Sequence, residues 1–229
     1  MKNSALSRES FVILCDGNFP TRKDALKLLS RSTVIACDGA YLNLKKNGLD
    51  AEYIVGDMDT LSPSMQKKLK SKIHKESEQD FNDQTKAFRF TLRLIEKAVS
   101  EGKKEFEITI LGATGKREDH TLGNISYLPQ YAEVLREKFP DEKISLCMVS
   151  DYGVFIPVLN TVYLKGEKGD RISIFSFDNT LKIKSEGLKY KTDDVTFDLW
   201  WKATLNTFSS ATVKLIFNHP AKALLYFPF

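Results

Sequence analysis

The stretch Tyr53-Ile-Val-Gly-Asp-Met-Asp-Thr60 carries a short apolar strand that ends in a glycine and two aspartates. A second acidic segment, Gln79-Asp-Phe-Asn-Asp-Gln-Thr-Lys86, opens a stretch with helical periodicity. Carboxylates gathered at strand ends and helix starts repel one another unless a cation lies between them. Oxygen ligands of this kind favour Mg²⁺, which commonly shares its coordination shell with phosphates. The two segments therefore predict a site for a metal-bound polyphosphate.

The strand before the first aspartate belongs to a series in which short apolar strands alternate with helices. The apolar and β-branched runs predict strands at 11–15, 33–37, 52–55 and 106–111. Helical periodicity and turn signals predict helices at 22–30, 40–47, 64–72, 83–100 and 121–139, the last with a break at Pro129 left open. Alternation of this kind predicts a mostly parallel, Rossmann-like sheet with helices on both faces, a three-layer α/β domain.

The pattern changes after about residue 140. Short β-rich runs separated by turn residues predict strands at 144–149, 154–158, 160–164, 171–177, 181–184, 195–197, 211–217 and 224–227. Many short strands without helical periodicity predict an antiparallel β-sandwich. We expect an α/β nucleotide-binding and magnesium-binding domain at 1–143 and a sandwich domain at 144–229, although the run at 144–149 suits either sheet.

Composition excludes several classes of protein. A formal net charge of +4 with scattered lysines argues against a nucleic-acid-binding surface. The longest apolar run near the start is too short for a membrane span or a signal peptide. The three cysteines, Cys15, Cys37 and Cys147, lie in or beside strand-like runs, which predicts buried thiols in a reducing compartment. A cytoplasmic enzyme without a membrane or nucleic-acid partner is the expectation.

The acidic residues have competing interpretations. Gly56 lets the backbone turn so that Asp57 and Asp59 can approach one cation, yet paired surface acids are common. Asp80 and Asp83 lie at a helix start, where either could simply cap the helix. Capping explains one of these two residues, but not both together with the Thr85-Lys86 pair that follows.

A third segment, Leu111-Gly-Ala-Thr-Gly-Lys-Arg-Glu-Asp-His-Thr-Leu-Gly-Asn-Ile125, places a glycine loop between a strand and a helix. Such a loop exposes backbone N–H groups to anions. Arg117 offers a fork for phosphate oxygens, and Asp119 could orient a donor, bind a metal or accept a proton. The alternative is a plain connection with Asp119 as helix cap, and His120 suits a local structural role better than catalysis. The segment is neither a Walker A motif nor a dinucleotide-binding fingerprint.

Taken in order and spacing, these segments resemble one family. Asp38-Gly-Ala40, Gly56-Asp-x-Asp-Thr60, Asp80-x-x-Asp-x-Thr-Lys86 and Gly112-x-x-Gly-x-Arg-x-Asp-His120 are similar to the motifs of thiamine pyrophosphokinase. Gly187-Leu-Lys-Tyr190 and Leu205-Asn-Thr-Phe208 resemble the segments on the thiamine side of that family. The resemblance runs from about residue 11 to the C-terminus. It implies the two-domain fold described above and a homodimer with active sites at the subunit interface.

The resemblance also implies a reaction and its residues. The reaction is Mg²⁺-dependent transfer of pyrophosphate from ATP to the hydroxyl oxygen of thiamine, with release of AMP. The implied catalytic residues are Asp57, Asp59, Asp83, Lys86, Arg117 and Asp119. The implied metal ligands are Asp57, Asp59, Asp80 and Asp83. The implied contacts to ATP or its phosphates are Asp38, Gly39, Thr85, Gly112, Thr114 and His120, and those to thiamine are Tyr190, Leu205 and Asn206.

The chain departs from the family pattern at three of its positions. Tyr190 replaces a tryptophan found in some relatives, which reduces the area for stacking on a flat ring. Leu205 stands where a small hydroxylated residue is common, so a hydrogen bond from that side chain is absent. Lys116 occupies a position that is often glycine. These departures leave the phosphate chemistry intact and weaken the assignment of the vitamin.

Two other functions compete with this one. A Mg²⁺-dependent phosphohydrolase would use an aspartate of Asp57-Met-Asp-Thr60 as nucleophile. Against it, the threonine follows the second aspartate directly, and Gly56 interrupts the strand. A non-catalytic sensor of nucleotides or vitamins would tolerate the loss of acidic ligands, whereas all the acidic residues of the motifs are present in this chain.

Overall fold

The computed structural model describes residues 8–229, which form two compact units. The first unit contains the described residues up to Tyr127 together with Phe139–Asp151, and the second contains Leu128–Lys138 and Tyr152–Phe229. The run at 144–149, which suits either sheet by sequence, forms a strand that pairs in parallel within the first unit. The domain limits at residues 143 and 144 stay a prediction.

The first unit is built on a parallel sheet. Its strands are β1 (Glu9–Leu14), β2 (Thr33–Cys37), β3 (Tyr53–Gly56), β4 (Ile73–Lys75), β5 (Glu105–Leu111) and β6 (Lys143–Ser150). They lie in the order β6-β5-β1-β2-β3-β4, and every neighbouring pair is parallel. The apolar run of β1 is buried from Phe11 to Leu14, as expected for a strand covered on both faces. The strand order reverses direction between β5 and β1, and ligands of open α/β sheets bind at such a point.

Helices connect these strands: α1 (Lys23–Arg31), α2 (Asp38–Lys46), α3 (Pro63–Lys68), α4 (Asp83–Ser100) and α5 (Glu118–Lys138). Helix α4 buries Phe88, Leu92 and Ile95 along one face and packs against β1, β2 and β3. Burial of each such side chain stabilises the fold by about 1.5–3 kcal/mol. This packing fixes the first turn of α4 next to the carboxyl ends of the strands, where the acidic segments lie.

The second unit is an antiparallel β-sandwich. Its strands are β7 (Gly153–Val158), β8 (Val162–Lys165), β9 (Arg171–Ser176), β10 (Ile183–Glu186), β11 (Ala203–Thr207), β12 (Thr212–Phe217) and β13 (Ala223–Pro228). One sheet has the order β11-β9-β13-β7 and the other the order β10-β12-β8. Ile174, Leu215 and Leu225 are fully buried in the core that the two sheets share. The expected fold class, a mostly parallel α/β domain followed by an antiparallel sandwich, is confirmed.

Several local predictions are wrong. The run at 195–197 is not a strand, because Phe197 enters the sandwich core from a turn. Strands β4 and β11 have no counterpart in the prediction: β4 has three residues, and β11 is interrupted by a bulge between Ala203 and Asn206. The sequence left open whether the last helix breaks at Pro129, and in the structure α5 continues through that residue.

Within residues 8–229, none of the helices combines the length and the apolar character that crossing a lipid bilayer requires. The cysteines are free thiols, and Cys15 and Cys37 are buried at the ends of β1 and β2.

Candidate functional site

Three carboxylates at the ends of β2 and β3 form an acidic cluster. Asp38 is the first residue of α2, directly after β2, and Asp57 and Asp59 follow β3. One oxygen from each carboxylate lies within 4.8 Å of the others. Because β2 and β3 are parallel neighbours, their carboxyl ends meet at the same edge of the sheet. The structure thus brings Asp57 and Asp59 together and adds Asp38, which the sequence assigned to the nucleotide rather than to the metal.

The backbone around the acidic cluster has two unusual positions. A Cβ atom on Gly56 would lie 2.9 Å from the Cβ of Asp38, so only glycine allows β3 and the start of α2 to approach this closely. Met58, between the two aspartates, has a φ of 68° and a buried side chain. A left-handed conformation is uncommon for a non-glycine residue and often marks a functional site. Here the strained turn keeps Asp57 and Asp59 in one cluster.

Asp38 has a buried oxygen atom that finds no hydrogen-bond partner among residues 8–229. Asp38 is 1% exposed, and its Oδ2 accepts a hydrogen bond from the Thr60 N–H at 3.0 Å. Its Oδ1 is buried and makes no hydrogen bond within the described part of the chain. Burial raises the pKa of Asp38, and the negative charges of Asp59 and Asp57 raise it further. A buried, unsatisfied carboxylate oxygen is costly, and a hard divalent cation such as Mg²⁺ would satisfy it.

The other two carboxylates of the acidic cluster are more accessible. The Oδ1 of Asp57 accepts a hydrogen bond from the Asp59 N–H at 3.3 Å, and this contact is the main reason that the pKa of Asp57 is lowered. Gln79 donates to the Oδ2 of Asp57 at 3.5 Å, and the Thr60 hydroxyl donates to the Oδ1 of Asp59 at 3.0 Å. Asp57 is therefore held in its charged form at neutral pH, as a metal ligand must be.

In the second acidic segment, Asp83 interacts electrostatically with the acidic cluster, although neither Asp83 nor Asp80 is one of its three carboxylates. Asp83 begins α4, and its Oδ1 lies 3.5 Å from the Nζ of the buried Lys86. Burial raises the pKa of Asp83; Lys86 opposes this, and the charges of Asp57 and Asp59 reinforce it. Asp83 therefore lies within electrostatic reach of the acidic cluster. Asp80 is exposed and outside that cluster, and its N–H donates to Glu78 at 2.6 Å.

Asn82, not Asp80 or Asp83, caps helix α4. Its Oδ1 accepts hydrogen bonds from the N–H of Thr85 at 2.9 Å and from the Thr85 hydroxyl at 2.8 Å. Its Nδ2 donates to the Oδ1 of Asn124 at 2.8 Å, and Asn124 donates in turn to the Ala113 carbonyl at 2.8 Å. This chain of amides ties the second acidic segment to the glycine loop. An asparagine one position before a helix is a cap signal that the sequence interpretation missed, whereas nothing in the sequence points to Asn124.

The glycine loop after β5 is tied to the loop after β1. Gly17 donates its N–H to the Gly112 carbonyl at 2.6 Å, and Asn18 donates to the Thr114 carbonyl at 2.8 Å. Gly112 and Gly115 have φ values of 64° and 78°. The two loops flank the point at which the strand order reverses, so Gly112 and Thr114 lie where the sequence expected a phosphate contact.

Arg117 and Asp119 pair with each other at the start of α5. The Arg117 Nε lies 3.1 Å from one carboxylate oxygen of Asp119, and a terminal nitrogen lies 2.6 Å from the other. This guanidinium is the main reason that the pKa of Asp119 falls to about 2, and the His120 N–H lowers it further. Both side chains are exposed. His120 is exposed as well.

In the second unit, the two segments expected on the thiamine side face each other. Leu188 and Phe208 form an isolated antiparallel bridge. The buried Asn206 side chain donates to the Tyr190 carbonyl at 2.7 Å and accepts from the Tyr190 N–H at 3.1 Å. Tyr190 itself is 58% exposed. Asn206 therefore fixes the backbone that presents the Tyr190 ring.

Leu205 lies on the bulge of β11. It has a φ of 60°, it is 85% exposed, and its N–H donates to the Ser173 hydroxyl at 3.1 Å. Bulges in strands commonly re-aim a side chain next to a functional site. The structure thus brings Tyr190 and Asn206 into contact and leaves Leu205 beside them, presented to solvent.

Comparison with protein families gives two matches, which follow each other along the chain. Residues 25–138 match the model described as the catalytic domain of thiamin pyrophosphokinase. Residues 153–226 match the model described as its substrate-binding domain. The first match contains the acidic cluster and the glycine loop, and the second contains Tyr190, Leu205 and Asn206. No curated protein matches the chain significantly.

Solved structures of similar fold carry the same family name. Thiamin pyrophosphokinase from Candida albicans is 17% identical with a TM-score of 0.73, and the alignment covers 98% of this chain and 90% of that one. The yeast enzyme is 16% identical with a TM-score of 0.74, over 97% and 87% of the two chains. The Bacillus subtilis protein is 18% identical with a TM-score of 0.67, over 96% and 99%. At these identities the likeness establishes the fold, and the family models carry the relationship.

Proposed function

The chain belongs to the thiamin pyrophosphokinase family, and on that premise we propose that it transfers pyrophosphate from ATP to the hydroxyl group of thiamine. The products are thiamine diphosphate and AMP. Mg²⁺ is the proposed cofactor, and the cytoplasm the proposed location. A homodimer with active sites at the subunit interface is also part of the proposal, and it rests on the family resemblance.

The main support for this proposal is the acidic cluster. The buried Oδ1 of Asp38 has no partner in the described chain, and oxygens of Asp57 and Asp59 lie within 4.8 Å of the same carboxylate. Like charges this close destabilise the protein unless a cation neutralises them. The donors are all hard oxygens, which favours Mg²⁺ over a thiophilic metal. Bound there, Mg²⁺ would neutralise charge on a polyphosphate.

The remaining polar residues of the first unit suit a polyphosphate rather than a covalent mechanism. Phosphoryl-type transfer depends on in-line positioning and charge neutralisation. In the proposed reaction the thiamine hydroxyl oxygen forms a bond to the β-phosphorus, and the bond from that phosphorus to the oxygen of AMP breaks. Lys86 is already buried beside Asp83, where it can neutralise a phosphate oxygen. Arg117 would supply a second positive charge once a phosphate replaces Asp119.

The acceptor side rests on the second unit. Thiamine carries a positively charged thiazolium ring, which is attracted to an aromatic face. The exposed Tyr190 ring offers such a face, and Asn206 fixes the backbone that carries it. In this proposal Asn206 acts by holding Tyr190, because its amide oxygen and nitrogen are already bonded within the chain.

Direct measurement of the reaction products tests the proposal. The purified protein is incubated with ATP, MgCl₂ and thiamine, and AMP, thiamine diphosphate and inorganic phosphate are separated by chromatography. We expect AMP and thiamine diphosphate in equal amounts, and neither product when thiamine or Mg²⁺ is omitted. Equal amounts are required because each transfer releases one AMP.

The same assay separates the competing functions. A phosphohydrolase that uses an aspartate of Asp57-Met-Asp-Thr60 as nucleophile would release inorganic phosphate without an acceptor alcohol. A non-catalytic sensor would bind the nucleotide, as calorimetry would reveal, and would form no AMP. Either result would refute the proposed transfer.

A further inference from the structure

Asp16 links three segments at the carboxyl edge of the parallel sheet. It lies in the loop after β1, and its Oδ1 accepts a hydrogen bond from the Lys116 Nζ at 3.0 Å and another from the Asn43 Nδ2 at 2.9 Å. Lys116 belongs to the glycine loop after β5, and Asn43 belongs to α2. The Oδ2 of Asp16 sits over α2 so closely that a Cβ on Gly39 would lie 2.8 Å from it. The contact therefore spans the point at which the strand order reverses.

The backbone at Lys116 is strained for a lysine. Its φ is 63°, directly after Gly115 with a φ of 78°. Only glycine adopts this conformation freely, and other residues keep it mainly where the surroundings or a function require it. The ion pair does not supply a structural reason, because its side chains are 48% and 46% exposed, and pairs this accessible contribute little stability.

The chemistry of the loop supplies a functional reason. A lysine is a flexible point charge with three N–H donors, which suits a phosphate oxygen. The neighbouring Arg117 is engaged by both oxygens of Asp119, whereas Lys116 is held by one oxygen of Asp16. Exchange of that single contact for a phosphate oxygen leaves Asp16 paired with Asn43. The loop can thus deliver the Lys116 charge without leaving a polar group unpaired.

We propose that Lys116 is a further phosphate-binding residue of the site, which Asp16 and Asn43 hold at its edge until a nucleoside triphosphate arrives. This inference rests on the proposed function, since it assigns Lys116 to the polyphosphate of the same donor substrate. Asp16 competes with the phosphate for the ammonium group, so it lowers the affinity for the nucleotide.

Lys116→Met removes the charge and keeps the strained backbone, whereas Lys116→Gly removes both. Lys168, an exposed lysine in a turn of the second unit, gives the matched control Lys168→Met. We expect both Lys116 variants to raise the KM for ATP about tenfold, the effect of one charge-assisted contact, with kcat changed less than about twofold. Lys168→Met should have the same KM for ATP and the same kcat as the unmodified protein. Lys116→Met should have the same melting temperature as the unmodified protein.

Asp16→Asn completes a double-mutant cycle. We expect it to lower the KM for ATP by about threefold alone and to have no effect in the Lys116→Met background, because the competition it removes acts through Lys116. An unchanged KM for ATP in both Lys116 variants would overturn the inference. The Asp16–Lys116 ion pair would then only connect the two loops.

Binding of a non-hydrolysable ATP analogue, measured by calorimetry, distinguishes this inference from the proposed function. Weaker analogue binding in Lys116→Met, in a protein that forms no thiamine diphosphate, would support the phosphate contact and refute the transfer. Normal transfer with identical analogue binding in both Lys116 variants would refute only the phosphate contact. A protein that binds no analogue would refute both.

Discussion

The acidic cluster and the Tyr190–Asn206 contact handle buried polar groups in opposite ways. In the acidic cluster, the Oδ1 of Asp38 is buried and has no partner in the part of the chain that the structure describes, and the neighbouring groups are carboxylates of the same charge. In the sandwich, the buried Asn206 amide is bonded on both sides to the Tyr190 backbone, and its oxygen also accepts the Thr207 N–H at 2.8 Å.

The difference separates two kinds of functional residue. A buried group that lacks a partner within the described chain is the kind that an external ligand can satisfy, and this is why we propose a cation at the acidic cluster. A fully bonded group stabilises its surroundings and acts on a ligand only through what it positions. The comparison therefore predicts that changes in the acidic cluster alter activity more than stability, and that changes at Asn206 do the reverse.

The sharpest test of the first half is Asp59→Ala. Asp59 is exposed and contributes an oxygen to the acidic cluster, so its removal should weaken the metal site and leave the core unchanged. We expect the rate of AMP formation with saturating ATP, Mg²⁺ and thiamine to fall about 10²–10³-fold, as when one electrostatic contact of a transition state is removed. The melting temperature without metal should not fall, because the substitution removes one of the like charges of the acidic cluster. Asp194→Ala, at an exposed turn of the second unit, is the matched control, and near-normal turnover in Asp59→Ala would refute the metal site.

Asn206→Ala tests the second half of the comparison. The substitution removes two hydrogen bonds to the Tyr190 backbone and one to the Thr207 N–H, and each lost hydrogen bond costs about 0.5–1.5 kcal/mol. We expect the free energy of unfolding to fall by about 2–3 kcal/mol, measured by urea denaturation. In the surviving folded protein, the KM for thiamine should rise while the KM for ATP stays constant.

Asn160→Ala, at an exposed turn, controls for the loss of an asparagine. If Asn206→Ala were as stable as this control and still bound thiamine poorly, the amide would contact the vitamin directly, and the positioning role would be wrong.

Asp38→Asn tests the unpaired oxygen itself. Since burial and two neighbouring carboxylates raise the pKa of Asp38, its folded state binds a proton more tightly than its unfolded state. Its contribution to stability therefore falls as the pH rises from the unfolded pKa, about 4, through the raised folded value. At neutral pH without metal, the neutral amide should stabilise the protein by about 1 kcal/mol. With MgCl₂ the order should reverse, because the variant lacks a ligand; a variant that gains as much from Mg²⁺ as the unmodified protein would contradict the assignment.

The sequence predicted the parts of the molecule that depend on local pattern. Helix α4 has the predicted bounds because its apolar residues recur at helical spacing. Strand β2 also has the predicted bounds, because its five apolar or β-branched residues end at Asp38, where α2 begins. Strand β11 escaped prediction because its bulge points Leu205 outwards and breaks the alternation. The strand predicted at 195–197 is wrong because a buried aromatic residue such as Phe197 does not require a strand.

The sequence predicts which residues of the site lie together within one motif, but not which motifs come into contact. The sequence identifies Asp57 and Asp59, since both follow one strand. The entry of Asp38 into their cluster depends on the close approach of β3 to α2 at Gly56, which no local pattern encodes. Likewise, the Asp16 contact with Lys116 joins residues that are 100 positions apart.

Asp50→Asn should have the smallest effect on stability. The pKa of Asp50 is shifted in the opposite direction from that of Asp38, which belongs to the same unit. Burial alone would raise the pKa of Asp50, but hydrogen bonds from Lys72, the Ala51 N–H and the Tyr41 hydroxyl lower the pKa to about 2. A lowered pKa contributes stability above the unfolded value of about 4, and that stability is lost as the pH falls through the folded value. Because the Asp50 side chain is 49% exposed, solvent screening limits the effect, and Asp50→Asn should cost about 0.5 kcal/mol at pH 7 and nothing near pH 2. Urea denaturation across this range should therefore show Asp50→Asn approaching the unmodified protein as the pH falls, whereas metal-free Asp38→Asn loses its advantage over the same acidification. If both variants changed with pH in the same direction, the distinction between a partnered and an unpartnered aspartate would be wrong.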